Sequence, residues 1–75
     1  MTHEEYLKRI TTDPRVEAGE PCIRDLPIRV SEIIGQLAGG MSIPQILAGH
    51  PELDRDDIMA CVAFATQEEI GTYLY

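Results

Sequence analysis

A chain of 75 residues holds one small domain, which buries too little surface to be robust without a staple or a second chain. Its net charge of −7, from 13 acidic and 6 basic residues, excludes a strongly basic nucleic-acid-coating protein. Two cysteines without a CxxC spacing argue against a disulfide framework and a structural metal site, so a partner chain is the favoured staple.

In chain order, residues 1–9 form an N-terminal segment, 10–70 a single small domain and 71–75 a C-terminal tail. The start, MTHEEYLKRI, is charged and lacks the apolar core of a secretion signal. No later stretch approaches membrane-spanning length. A cytoplasmic, reduced location and no membrane contact are expected. HEEYLKRI reads as a helical turn or a loose end. Next, ITTDPRVEAGEPCIRDLPIRV alternates β-prone pieces with turn residues. Strands are expected at Ile10–Thr12, Cys22–Ile23 and Ile28–Val30, punctuated by Asp13-Pro14, Gly19-Glu20-Pro21 and Asp25-Leu26-Pro27. They are too short to form a sheet alone.

Three helices follow. The first is predicted over about Ser31 to Ala38, where Val30, Ile33, Ile34, Leu37 and Ala38 make one apolar stripe. Gly39-Gly40 ends it. The second opens on Ser42 with Gln45 at the capping-box position, Pro44 in the first turn, and Gly49 and Pro51 at its close. Met41 and Ile46 occupy staple positions. The third has Asp54 as cap, Leu53 and Ile58 as staple, and Asp56 and Asp57 in a first turn favoured by the helix dipole. It runs to about Glu69 or Tyr73. The fold class is mainly α, a three-helix homeodomain-like or winged helix-turn-helix body with short N-terminal β-strands.

The third helix carries the sharpest expectation. IMACVAFA, residues 58–65, is apolar on every side for two turns, and such a helix is covered on both sides. One small core covers one side, so a second chain is expected on the other and a homodimer follows. The competing reading makes Ala60, Ala63 and Ala65 a bland outer face. Ile58, Met59, Val62 and Phe64 are the candidate core or interface residues. Ile70, Tyr73 and Tyr75 in the tail are candidate partner contacts, since tyrosine is enriched at interfaces.

Charge placement speaks to nucleic acid. Residues 1–29 hold five bases and six acids, a net of −1, whereas residues 30–75 hold one base, Arg55, against seven acids, a net of −6. A recognition helix needs cationic or amide side chains along its exposed face, and the third helix offers Arg55 followed by acid. Any DNA contact falls to the N-terminal half, through Lys8, Arg9, Arg15, Arg24 or Arg29, with Arg15, Arg24 and Arg29 the leading candidates.

Ile10…Asp13-Pro14, Gly19…Pro21-Cys22-Ile23-Arg24 and Ile28…Val30 then become recognisable as an ordered set. It continues through Leu37, Gly40, Met41-Ser42, Ile46-Leu47, Pro51, Leu53, Asp57-Ile58, Ala60 and Ala63. Over residues 10 to 66 the chain resembles domain-of-unknown-function family four hundred and thirty-three. The resemblance implies a small β-plus-three-helix domain of antitoxin type, a VapB-type partner of a PIN-like nuclease toxin in bacterial toxin–antitoxin pairs. It also implies promoter binding. The family commonly reads Arg-Gly-Thr-Arg or Arg-Gly-Leu-Arg where this chain has Arg24-Asp25-Leu26-Pro27. A turn needing positive φ is costlier with Asp25 than with glycine. The change also removes one arginine.

Catalysis is not expected. His50 has only His3 as a second histidine, and capping accounts for Asp54, Asp56 and Asp57 without a metal. Glu17 and Glu20 fit a solvated turn, and Cys22 fits core packing. No Ser-His-Asp set or phosphate-cradling loop is present, and no cofactor is expected. The leading expectation is an antitoxin-like protein that neutralises a PIN-like ribonuclease. The alternatives are a helix-turn-helix transcriptional regulator and a homodimeric scaffold domain.

Overall fold

The computed structural model of the chain describes residues 1–67 with their side chains and residues 68–74 as backbone. The side chains of Ile70 and Tyr73, and Tyr75 altogether, lie outside the described residues. The protein is mainly helical with one short two-stranded antiparallel sheet.

The N-terminal segment is a helical turn, α1, His3–Leu7. Its initiation is local: the Glu5 N–H donates to the Thr2 hydroxyl at 3.2 Å while the Glu5 carboxylate accepts from the Thr2 N–H at 3.4 Å. Strand β1, Ile10–Thr11, pairs antiparallel with β2, Cys22–Ile23, Ile10 facing Ile23 and Thr11 facing Cys22. Between them the Val16 N–H closes a turn on the Asp13 carbonyl at 2.8 Å, and a 3₁₀ turn covers Glu17–Gly19. After β2 the chain reverses at Arg24 and Asp25, with φ of 49° and 60° and the Leu26 N–H donating to the Ile23 carbonyl at 2.8 Å. This is a left-handed turn of the kind that joins tight hairpins. The third expected strand is reduced to an isolated bridge between Cys22 and Arg29, because Val30 already belongs to the next helix.

Helix α2 spans Val30–Ala38 and ends where Gly40 takes a φ of 97°, a conformation that favours glycine. Helix α3, Ile43–Gly49, has the full capping box of Ser42 and Gln45. Helix α4 spans Arg55–Leu74. There the Asp57 N–H donates to the Asp54 carboxylate at 2.9 Å and the Asp54 N–H donates to the Asp57 carboxylate at 3.0 Å.

One core joins the elements: Ile23 from β2, Val30 and Ile33 from α2, Ile46 from α3, Ile58 and Cys61 from α4. Each isoleucine is fully buried, worth roughly 1.5–3 kcal/mol apiece relative to exposure. Ala60 and Ala63 are also buried, yet lie outside this cluster on another side of α4. The N-terminal helix packs on α4, more extensively than any other element does. Part of the second covering that an all-apolar helix demands therefore comes from residues 1–9 of the same chain. Met59, Val62 and Phe64 are half-buried, and Phe64 packs against the core. Among the described residues no helix is long and apolar enough to cross a membrane.

Candidate functional site

Asp57 sits on the stripe that α4 turns inward, with Cys61 and Phe64 at the following positions, and it is 0% exposed. An isolated buried carboxylate would be prohibitively costly, so it must be paired. Two arginines reach it from the N-terminal half, 48 and 33 residues away along the chain. Arg24 grips it side-on, Nε donating to Oδ1 at 3.0 Å and Nη2 to Oδ2 at 2.8 Å. Arg9 Nη1 donates to Oδ1 at 2.9 Å. With the Asp54 N–H, four donors serve the two oxygens, which fills the capacity of a carboxylate. Arg9 also reaches Asp54 at 2.9 Å and Asp56 at 4.0 Å, and Arg24 Nη2 donates to the Glu52 carbonyl at 2.9 Å.

The electrostatics follow. Burial pushes the Asp57 carboxyl up, but hydrogen bonds from Arg24, the Asp54 backbone and Arg9 outweigh it and hold the group below its ordinary range. Both guanidiniums are raised in turn, chiefly by the hydrogen bond to Asp57. The left-handed backbone at Arg24 belongs to the same device. Such strain persists where the surroundings fix it, and here the bidentate pair does so.

The candidate DNA contacts are thereby placed. Arg24 is committed to Asp57. Arg15 is exposed but donates to Asp13 through Nε at 3.1 Å and Nη2 at 2.9 Å, which lowers the Asp13 carboxyl. Arg29 faces Glu17 at 3.7 Å. These three side chains do not converge on one another through any shared partner; each has its own acid. Asp54 and Asp57 form the cap and Asp56 stands in the first turn, but all three also face Arg9, a role that capping preference alone did not reveal. The signal the sequence offers is that Asp57 falls on the inward stripe of Cys61 and Phe64, which points to burial and does not name its partners.

Cys61 is free and buried, its thiol pushed up to about 12 by burial and the nearby Asp57 charge, so it stays protonated. Cys22 is likewise free, buried and raised. His50 Nδ1 lies 3.9 Å from Glu52. No group of three or more metal-ligating side chains is found among the described residues.

A second feature is a half-open groove of about 360 Å³ between the start of α2 and the middle of α4. Val30, Ile34, Phe64 and Ala65 line it with Pro21, and Glu20 and Ser31 stand at its polar edge.

The ordered pattern from β1 to the middle of α4 has a family counterpart. Residues 10–65 match the family model described as "Protein of unknown function (DUF433)". The chain belongs to the DUF433 family. No curated protein and no solved structure matches it. The DUF433 segment contains Arg24 and Asp57 but starts after Arg9 and α1, so half of the clamp on Asp57 lies outside it. The Asp25 φ of 60° is a conformation that a glycine would adopt freely.

Proposed function

We propose that this DUF433 protein is a non-catalytic, partner-binding subunit of antitoxin type that neutralises a PIN-like ribonuclease in the cytoplasm. The observation that carries the reading is where its cations go. Of 6 basic residues, Arg9, Arg15, Arg24 and Arg29 each lie 3.7 Å or less from a carboxylate. That leaves Lys8 and Arg55 without an ion pair among the described residues, on a chain of net charge −7. Such a surface repels phosphate backbones and suits a basic protein. A ribonuclease must hold RNA on cations, so an acidic protein competes for the same surface.

In this reading α3, α4 and the turn between them form a helix-turn-helix-like frame used for protein rather than base contact. Homodimerisation through Met59, Val62 and the C-terminal tail would bring two such surfaces to one assembly. Promoter binding is the weaker reading, because Arg15, Arg24 and Arg29 are already paired. The test is affinity purification of the tagged full chain from its own host, with mass spectrometry of what stays bound at moderate salt. A stoichiometric small nuclease, whose RNA cleavage stops when the chain is added back, is expected. Recovery of the chain alone, or a nuclease that stays active when bound, overturns the reading.

A further inference from the structure

We propose that the groove between α2 and α4 receives one large apolar side chain of a partner protein, presented next to a lysine or arginine. This deepens the partner-binding reading and rests on it. The groove lining is mostly apolar, from Pro21, Val30, Ile34, Phe64 and Ala65, and its volume of about 360 Å³ has room for an aromatic or long aliphatic anchor. Phe64 packs on the core from one side and lines the groove on the other, so an anchor seated there would contact a braced wall. Single anchors in such recesses carry most of the energy of many protein interfaces.

Charge selects the occupant. No cation lines the groove, and Glu20 at its edge has no ion-pair partner among the described residues. The nearest arginine in sequence, Arg29, faces Glu17, which offsets its charge. Glu32, one turn into α2, is exposed. An apolar anchor flanked by a carboxylate would meet repulsion, and one flanked by an ammonium or guanidinium would meet Glu20. This is the chemistry expected of a segment taken from a basic nuclease surface.

The test is selection of a displayed library of random short peptides on the full folded chain, followed by affinity measurement on Ala65→Arg and Glu20→Gln. Ala65→Arg fills and recharges the groove; Glu20→Gln removes only the edge charge at an exposed position. Thermal melts by circular dichroism confirm that both variants fold. Selected peptides should share an aromatic or large aliphatic residue beside Lys or Arg. They should lose at least about thirtyfold in affinity on Ala65→Arg, a loss of hot-spot size. A smaller loss on Glu20→Gln should disappear at high salt. Peptides without that pairing, or equal binding to Ala65→Arg, overturn the inference. So does a self-associated dimer that Ala65→Arg dissolves, which would give the groove to a second copy. A nuclease complex unaffected by Ala65→Arg sinks the groove inference and leaves the antitoxin reading standing. Groove-specific peptides with no nuclease recovered from the host do the reverse.

Discussion

Asp57 is where the two halves of the chain are tied, and its energetics are lopsided. The carboxylate gives up water entirely, and four donors replace it. A well-compensated buried ion pair adds modest net stability, but removing one partner strands the others. Arg9 and Arg24 keep 24% and 43% side-chain exposure, so they can turn to water when the acid is lost, which softens the penalty. Asp57→Ala should therefore cost about 2–3 kcal/mol in urea unfolding, below the upper range for fully buried pairs. An unchanged midpoint would mean that the clamp contributes nothing. The pH dependence has a definite sign. The folded carboxyl lies below its ordinary value, so the unfolded chain takes up the proton first. The stabilisation is complete above the ordinary carboxylate range near pH 4 and is lost as pH falls through it toward the folded value. Stability plotted below about pH 4 should fall less steeply for Asp57→Asn than for the wild type. Asp25 offers the opposite case. Its φ of 60° strains an L residue, and its N–H, donated to the Thr11 hydroxyl at 2.8 Å, survives substitution. Asp25→Gly should raise stability by about 0.5–1 kcal/mol, or a few degrees in Tm, once the strain relief exceeds the extra unfolded-state freedom of glycine. A lower Tm would show that the aspartate side chain holds the turn.

At the level of elements, what was legible was what is local. Ser42 with Gln45 and Asp54 with its first-turn acids set helix starts within four residues, and those starts are in place. Gly40 ends α2 for the same reason. The two β pieces that hydrogen-bond, Ile10–Thr11 and Cys22–Ile23, were marked by their bounding turns, whereas Ile28–Val30 was cut short when Val30 joined α2. The N-terminal helix reads in the sequence as either a turn or a loose end because it has no apolar stripe, and it has no buried residue. Its Thr2–Glu5 capping box was the signal available. The clamp on Asp57 was not legible, since ion pairs between residues 33 and 48 positions apart leave no spacing to read. This makes α1 the element most worth deleting. Removing residues 1–7 keeps Arg9 and the DUF433 segment but strips from α4 the element that packs on it most extensively. The truncated chain should lose about 1–2 kcal/mol, roughly 5–15 °C in Tm for a domain this small, and should bind a hydrophobic dye. Arg9→Ala in the full chain should lower Tm without dye binding, because the helix still covers α4. A truncated chain that melts with the full chain would show that α1 covers nothing of consequence.

For the molecule as a whole, the same arginines that stabilise the fold are withdrawn from any outward role. Net charge acts at a distance only through groups that remain unpaired at the surface. Arg24 and Arg9 are spent on Asp54 and Asp57, and Arg15 and Arg29 on Asp13 and Glu17. A polyanion approaching the N-terminal half therefore meets closed pairs and one cation, Lys8, unpaired among the described residues, in a segment of net charge −1, and approaching α2 to α4 it meets excess acid. The expected result is that the purified chain passes through a heparin column at low salt, with Arg15→Ala and Arg29→Ala indistinguishable from wild type. Asp13→Ala with Glu17→Ala should release two guanidiniums and cause measurable retention that vanishes within a few hundred millimolar salt, as screened exposed charges require. Retention of the wild type that falls on mutating Arg15 and Arg29 would reverse the conclusion. It would mean that those ion pairs open at little cost, as exposed pairs worth 1 kcal/mol or less, roughly, are able to do, and that phosphate competes successfully for them.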